Sequence, residues 1–325
     1  MTAIDCHCHI YPEPYLAVIN ELRGGDAPYQ QVAGRFGVHP SLTQPLKVGQ
    51  IEQRLELMDD ADIATHVLSL APPYVWAPDV EVRVRLAASF NSGVSDLHRQ
   101  HPSRFRFFAT MPLPFVEASV DETRRAMELP GFAGVAVGTH TETVPIDDER
   151  WLPLYEVWNQ HHLTVFLHPD GLCVPGVLNQ YGLDLALGAP FDDTIAAARL
   201  IHSGIQTRFP DIRWLVPHLG GALPFLLGRL DLMWQRFRAT VDLSAAPPSE
   251  SLNQLYFDTV AAGATELQIA KAQLGVSRLV LGSDFPNVFA DDLGRPRRLL
   301  VEAGFLHDEI EAVAISNPTG LLWAS

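Results

Sequence analysis

Eight short runs of β-prone apolar residues, each followed by a stretch with helical spacing, constrain this chain more than any other feature. The runs lie near residues 3–9, 64–70 (ATHVLSL), 105–109 (FRFFA), 132–137 (FAGVAV), 163–167 (LTVFL), 213–217 (RWLVP), 255–259 (LYFDT) and 278–282 (RLVLG). Helices are expected near 50–61, 79–100, 116–128, 151–161, 190–208, 222–239, 264–274 and 290–304, with one more after Asp308 that runs up to Asn317-Pro318. Strands that are apolar on both faces belong in a parallel sheet covered by helices. A doubly wound sheet would carry a Gly-x-Gly-x-x-Gly turn after its first strand, and none follows residue 9. The expected architecture is therefore α/β, a (β/α)8 TIM barrel forming one domain over residues 1–325. Two segments exceed a simple βα loop, residues 11–49 after strand 1 and 169–189 after strand 5. Both would sit over the C-terminal mouth of the barrel, where active sites are built.

Charge narrows the choice of partner. With 23 Lys and Arg against 38 Asp and Glu, the formal net charge of −15 repels a phosphate backbone, so nucleic acid is not expected. A few arginines in a cleft would still bind a small carboxylate. No apolar run approaches the ~18 residues of a membrane span. Strand-like residues begin at Thr2, so no secretory leader is expected and the cytoplasm is the expected location. Three cysteines, Cys6, Cys8 and Cys173, cannot build a disulfide framework or a four-thiolate zinc site.

The chemistry concentrates at strand ends. The opening DCHCHIYP alternates two thiols with two imidazoles. Alternation along a strand puts Asp5, His7 and His9 on one face and Cys6 and Cys8 on the other. If the histidines face into the barrel, the cysteines are ordinary packing among the helices. VFLHPDG ends the fifth strand with His168, LVPHLGG the sixth with His218, and LVLGSDFP the eighth with Asp284. A polar residue directly after each apolar run converges on one rim, and three imidazoles with a carboxylate match the ligand set of a catalytic metal site.

This set resembles the amidohydrolase superfamily, whose pattern is His-x-His on strand 1, a histidine on each of strands 5 and 6, and an aspartate on strand 8. DCHCHIYP, GVAVGTH, FLHPDG, PHLGGALPFLLGR, LYFDT and LGSDFP resemble the branch containing 2-amino-3-carboxymuconate-6-semialdehyde decarboxylase and 6-methylsalicylate decarboxylase, from Ile4 to Pro318. Binuclear members carry a carboxylated lysine on strand 4. The only lysines here are Lys47 and Lys271, so the resemblance implies one divalent ion per chain, zinc with manganese as the alternative, and no organic cofactor. His7, His9, His168 and Asp284 would hold the ion. The catalytic residues would be His218 and Asp284, His218 moving a proton beside the ion or, alternatively, serving as a fifth ligand. Asp5 would orient a ligand.

The resemblance also implies a homodimer in which Arg229 reaches the neighbouring site and binds the carboxylate of a small substrate. The muconate-semialdehyde enzyme has a further arginine ahead of a Trp-Asp pair. That pair is absent here, and Arg35 is the nearest candidate, while Gly24-Gly25-Asp26 is similar to the 6-methylsalicylate enzymes. Asn287 is a third candidate for substrate contact. The implied reaction is non-oxidative decarboxylation of a small aromatic or enol-conjugated acid. Hydrolysis of a lactone or amide is the alternative the same residues could support.

Overall fold

A computed structural model describes residues 3–23, 51–72, 74–75, 77–170, 177–178, 180–289 and 292–323. Its eight-stranded sheet follows chain order. The strands are β1 (Ala3–His9), β2 (Ile63–Ser69), β3 (Phe105–Thr110), β4 (Phe132–Gly138), β5 (Thr164–His168), β6 (Arg213–Val216), β7 (Leu255–Asp258) and β8 (Leu279–Val280). Every neighbouring pair from β1 to β8 is parallel. The helices include α1 (Glu13–Arg23), α2 (Ile51–Asp60), α3 (Val80–Gln100), α4 (Val116–Met127), α5 (Leu152–Gln160), α6 (Ala189–His202), α7 (Leu223–Phe237), α8 (Ala264–Leu274) and α9 (Arg295–Glu302). This is the (β/α)8 barrel expected from the sequence.

The barrel closes irregularly. β8 is only two residues long, and the segment after it continues the pairing without strand geometry. Cys6 N donates to Leu281 O at 2.8 Å, Asp284 N to His7 O at 2.7 Å and His9 N to Phe285 O at 2.7 Å. The seam between first and last strands thus carries both β1 histidines and Asp284.

Alternation is broken in β1 by a register shift between Asp5 and Cys8. Ile4 and Cys6 join Val67, Phe108, Ala136, Phe166, Leu215 and Val280 in the cluster that fills the barrel, with Phe108 and Phe166 stacked at 5.4 Å. Cys8 belongs to the second cluster, between strands and helices, with Leu68, Phe107, Val135, Val165, Trp214 and Phe257. Asp5 lies with Cys8 and His66. The expectation that both cysteines look outward therefore holds for Cys8 and fails for Cys6, and Asp5 does not share the face of His7 and His9. A bulge shifts side-chain parity, which a strict period of 2 cannot anticipate.

Other boundaries also moved. The helix expected over 190–208 stops at His202, and a short turn Ile205–Arg208 follows Gly204, whose φ is 75°. The last helical stretch does not stop at Asn317-Pro318. Pro318 comes just after a π-helical turn, Ala312–Ser316, inside a helical run that continues to Trp323. That helix brings Leu321 and Leu322 into the barrel-filling cluster, and Thr164 Oγ1 donates to Leu321 O at 2.7 Å. Within the first insertion, α1 occupies Glu13–Arg23, a helix its sparse periodicity did not announce. Residues 24–50, with Arg35, and 171–176, with Cys173, lie outside the described residues.

The plug at the barrel floor is testable. Leu321 is 0% exposed and Leu306 is 63% exposed. Leu321→Ala should cost about 2–5 kcal/mol in urea unfolding, and Leu306→Ala no more than about 0.5 kcal/mol. Equal midpoints for the two variants would place Leu321 outside the core.

Candidate metal and proton-transfer site

Four side chains meet at the mouth. His7, His9, His168 and Asp284 each bring a ligand atom within 4.8 Å of the others, and all four are buried. β1 supplies two of them from one strand, β5 ends on the third, and the seam after β8 presents the carboxylate. Gly282 makes the close approach possible, since a Cβ there would stand 2.8 Å from Asp258 Cβ and 3.0 Å from His7 Cβ.

The outward-facing ring nitrogens are all engaged. His7 Nδ1 lies 2.6 Å from Asp258 Oδ2, a carboxylate that can only accept, so this nitrogen carries the proton. Ser69 Oγ donates to Cys8 O at 3.3 Å, which leaves it to accept from His9 Nδ1 at 3.0 Å. His168 Nδ1 has Tyr74 Oη at 3.1 Å and Pro169 O at 3.2 Å, while Tyr74 Oη donates to His168 O at 2.9 Å. These assignments turn three Nε2 atoms inward.

Their placement suits a cation. His7 Nε2 and His9 Nε2 are 3.1 Å apart, close enough to share one proton or one ion. His168 Nε2 is buried and has no hydrogen-bond partner. Asp284 Oδ1 lies 3.0 Å from His9 Nε2 and 3.4 Å from His7 Nε2. A divalent ion among three imidazole nitrogens and a carboxylate oxygen satisfies every one of these atoms, so the residues fit such a group. Burial, with the neighbouring histidines adding to it, pulls the pKa of His9 down to about 4 and that of His168 well below its ordinary value, which keeps both rings neutral and able to ligate. At His7 burial is outweighed by the charges of Asp258 and Asp284, which raise the pKa to about 9, so an ion would take the place of a proton on its Nε2.

His218 stands one step outside. Burial disfavours its charge, but the hydrogen bond and charge of Asp193, and then those of Asp284, outweigh burial and hold its pKa well above the usual value. Its Nδ1 is 2.8 Å from Asp193 Oδ2, and its Nε2 is 3.7 Å from Asp284 Oδ2, the oxygen turned away from His9. Burial pushes Asp193 up to about 7, so the two groups titrate as a pair. We place the shared proton on His218, because Asp284 favours it there as well.

The backbone at these residues is left-handed: φ is 50° at His218, 57° at Leu219 and 53° at Asp284. Gly220 and Gly221 follow. A Cβ on Gly221 would come 1.8 Å from Pro190 O, so the second glycine of HLGG lets α6 approach this turn. Asp258 Oδ1 accepts from His218 N at 2.8 Å and from Val260 N at 3.0 Å, so one carboxylate aims His7 and anchors His218.

The remaining candidates separate. Asp5 accepts from the backbone N of His7 and of Ser283, each at 3.1 Å, and so acts on ligand backbones instead of on an imidazole. Asn287 Nδ2 donates to Asp284 Oδ1 at 3.1 Å. Arg229 is exposed on α7, and Arg35 lies outside the described residues. Lys271 is in α8, paired with Glu309 at 2.5 Å, and β4 contains no lysine. Sequence reasoning missed Asp258, Asp193, Ser69 and Tyr74 as functional residues. Asp258 carried a signal, because the acid in LYFDT follows an apolar run just as Asp284 does.

Comparison with known proteins agrees with this geometry. The chain matches the amidohydrolase family over residues 4–319 and belongs to it. It is 26% identical to 2-amino-3-carboxymuconate-6-semialdehyde decarboxylase of Dictyostelium discoideum, over 72% of this chain and 66% of that protein. It is 25% identical to 6-methylsalicylic acid decarboxylase of Penicillium expansum, over 91% of this chain and 88% of the relative. A 2-keto-4-carboxy-3-hexenedioate hydratase of Sphingobium sp. is also 25% identical, over 80% and 76%. Among solved structures, 5-carboxyvanillate decarboxylase of Sphingomonas paucimobilis shares the fold at a TM-score of 0.86 and 23% identity, covering 99% of this chain and 98% of that one. A dihydroxybenzoic acid decarboxylase of Polaromonas sp., solved with bound manganese and 2-nitroresorcinol, gives a TM-score of 0.82 at 20% identity, covering 99% and 96%.

Among the described residues two buried clusters could attract a metal ion, and mutation separates them. His9→Ala should lose most bound metal in elemental analysis, whereas a Cys6→Ala, Cys8→Ala double variant should keep it. The reverse pattern would move the ion to the group of Asp5, Cys8 and His66.

Proposed function

We propose that this protein is a metal-dependent, non-oxidative decarboxylase of small aromatic or enol-conjugated carboxylic acids, of the salicylate or muconate-semialdehyde type. The observation that carries the reading is His218. Its Nδ1 lies 2.8 Å from Asp193 Oδ2, a contact that favours the protonated ring, beside the imidazoles of His7, His9 and His168 and the Asp284 carboxylate. A hydrolase needs a base at that position, whereas decarboxylation needs an acid that can place a proton on carbon. The named decarboxylases among its relatives support the same choice.

His7, His9, His168 and Asp284 would hold one divalent ion. The donor set suits zinc, and manganese is the alternative. Such an ion supplies a Lewis acid for the oxygens of the bound acid. His218 delivers its Nε2 proton to the carbon bearing the carboxylate, the carbon–carbon bond breaks, and its electron pair returns to the conjugated system as CO2 leaves. The imidazole then regains a proton from solvent while Asp193 holds its ring. One proton is consumed for each CO2 released.

The reading extends to a single catalytic domain over residues 1–325, a cytoplasmic setting and a homodimer. The family match over 4–319 supports the first, and the unpaired buried thiols Cys6 and Cys8 suit the second. For the third, α7 leaves Phe225 79% exposed, and Tyr181, ahead of the neighbouring α6, is 90% exposed, an apolar face with reason to be covered. Arg229 lies on that same helix, so a partner copy covering the face would receive it. Arg229, Arg35 and Asn287 are the side chains we assign to the substrate's polar groups.

The test incubates metal-loaded protein with salicylate-type acids, muconate semialdehydes and lactones while recording CO2. Release of CO2 matched to loss of one carboxyl group is expected. Ring opening or hydration without carbon loss would make it a hydrolase or hydratase. His218→Asn should retain metal and lower turnover about 100-fold to 10,000-fold. Asp193→Asn removes the charge that raises His218, so His218 should lose its proton at lower pH and the alkaline limb of kcat should move down. An unmoved limb would detach Asp193 from proton transfer.

A further inference from the structure

Behind the imidazoles, on the helix side of β1, lies a buried polar group that the reaction above does not use. Its centre is Arg54. In the α2 sequence IEQRLELMDD this arginine falls on the stripe that Met58 continues one turn later, and it is 1% exposed. A guanidinium is costly to bury unless its donors are taken up. Nη2 donates to His9 O at 2.6 Å and Nη1 to His66 Nδ1 at 3.4 Å, Nε has no partner among the described residues, and the guanidinium lies 4.6 Å above the Phe285 ring.

The contacts continue from Arg54 towards the seam. His66 Nε2 approaches Asp5 Oδ2 to 3.5 Å without a hydrogen bond, so the firm contacts at the seam are those of Asp5 itself. Asp5 Oδ2 accepts from Ser283 Oγ at 2.5 Å, and Asp5 Oδ1 takes the backbone N–H groups of His7 and Ser283 at 3.1 Å. Ser283 Oγ in turn accepts from Phe285 N at 3.1 Å. The group therefore holds the backbone of His7 and His9 and brackets Asp284 on both sides. Only His168, of the four side chains at the mouth, is outside its reach.

Asp5, Cys8 and His66 have metal-type donors within 4.8 Å of one another. They are nevertheless poorly suited to a second ion. A guanidinium stands beside His66, and the Asp5 oxygens already accept from a hydroxyl and two amides.

We infer that Arg54, acting on His9 O, and Ser283, acting through Asp5, are positioning residues that fix the metal-holding geometry from outside the barrel. The need for them is local. A register shift in β1 and a two-residue β8 leave the ladder too irregular at this seam to set ligand positions by itself. The inference rests on the metal-site reading proposed above.

The test uses the full chain as wild type, Arg54→Met, Arg54→Lys and Ser283→Ala. Metal Kd is measured by chelator competition with Zn2+ and Mn2+, ligand geometry by the visible spectrum of the Co2+-loaded protein, and folding by thermal unfolding in chelator. Arg54→Met and Ser283→Ala should raise the metal Kd about 10-fold to 100-fold and alter the Co2+ band. Arg54→Lys should recover part of the affinity, because an ammonium can still donate to His9 O. Unchanged Kd and spectrum in both Arg54→Met and Ser283→Ala, even with lowered Tm, would overturn the inference and leave a purely structural group. If Arg54→Met does not fold, Ser283→Ala decides alone. A wild-type chain that takes up no ion would instead overturn the metal reading, and this inference with it.

Discussion

Three histidines at the barrel mouth have their Nδ1 atoms tied to Asp258, to Ser69 and to Tyr74 with Pro169, and the rest of the site depends on the inward-facing Nε2 atoms this leaves. Each tie fixes a tautomer as well as a ring orientation. With the rings so oriented, two Nε2 atoms 3.1 Å apart and a third with no partner fit around a cation that would displace the His7 proton. The electrostatics reinforce the arrangement, since burial keeps His9 and His168 neutral while Asp193 keeps the neighbouring His218 charged. Ligands and proton donor are thereby separated within a few ångströms.

The scaffold accepts local irregularity to achieve this. Left-handed backbone at His218 and Asp284, two residues that β-region geometry would point elsewhere, costs of order 1–3 kcal/mol each. Asp258 meets part of that demand from inside by accepting from His218 N. Asp5 and Ser283 brace the seam from the other side. The well-packed barrel interior below, from Phe166 and Phe108 down to Leu321, gives these bonds a rigid base.

Much of this was readable in the residues themselves. Eight strand-like runs in alternation with helices gave the barrel, because parallel strands buried on both faces leave few other architectures. His168, His218 and Asp284 were readable because each polar residue directly follows an apolar run. What escaped was whatever depends on register or on contacts between distant segments. The bulge in β1 sent Cys6 inward and Asp5 outward against a simple alternation. Asp193 and Tyr74 lie in a helix and a loop whose positions over the mouth only tertiary packing sets. Arg54 gave no signal in the sequence, and only the placement of α2 against β1 and Phe285 buries it.

The convergence of four side chains on one ion is tested most directly by an anomalous difference map from crystals loaded with Mn2+. One peak per chain is expected, within about 2.0–2.3 Å of the Nε2 atoms of His7, His9 and His168 and of a carboxylate oxygen of Asp284. A peak among Asp5, Cys8 and His66, or no peak in protein that retains its activity, would contradict the site described for this chain.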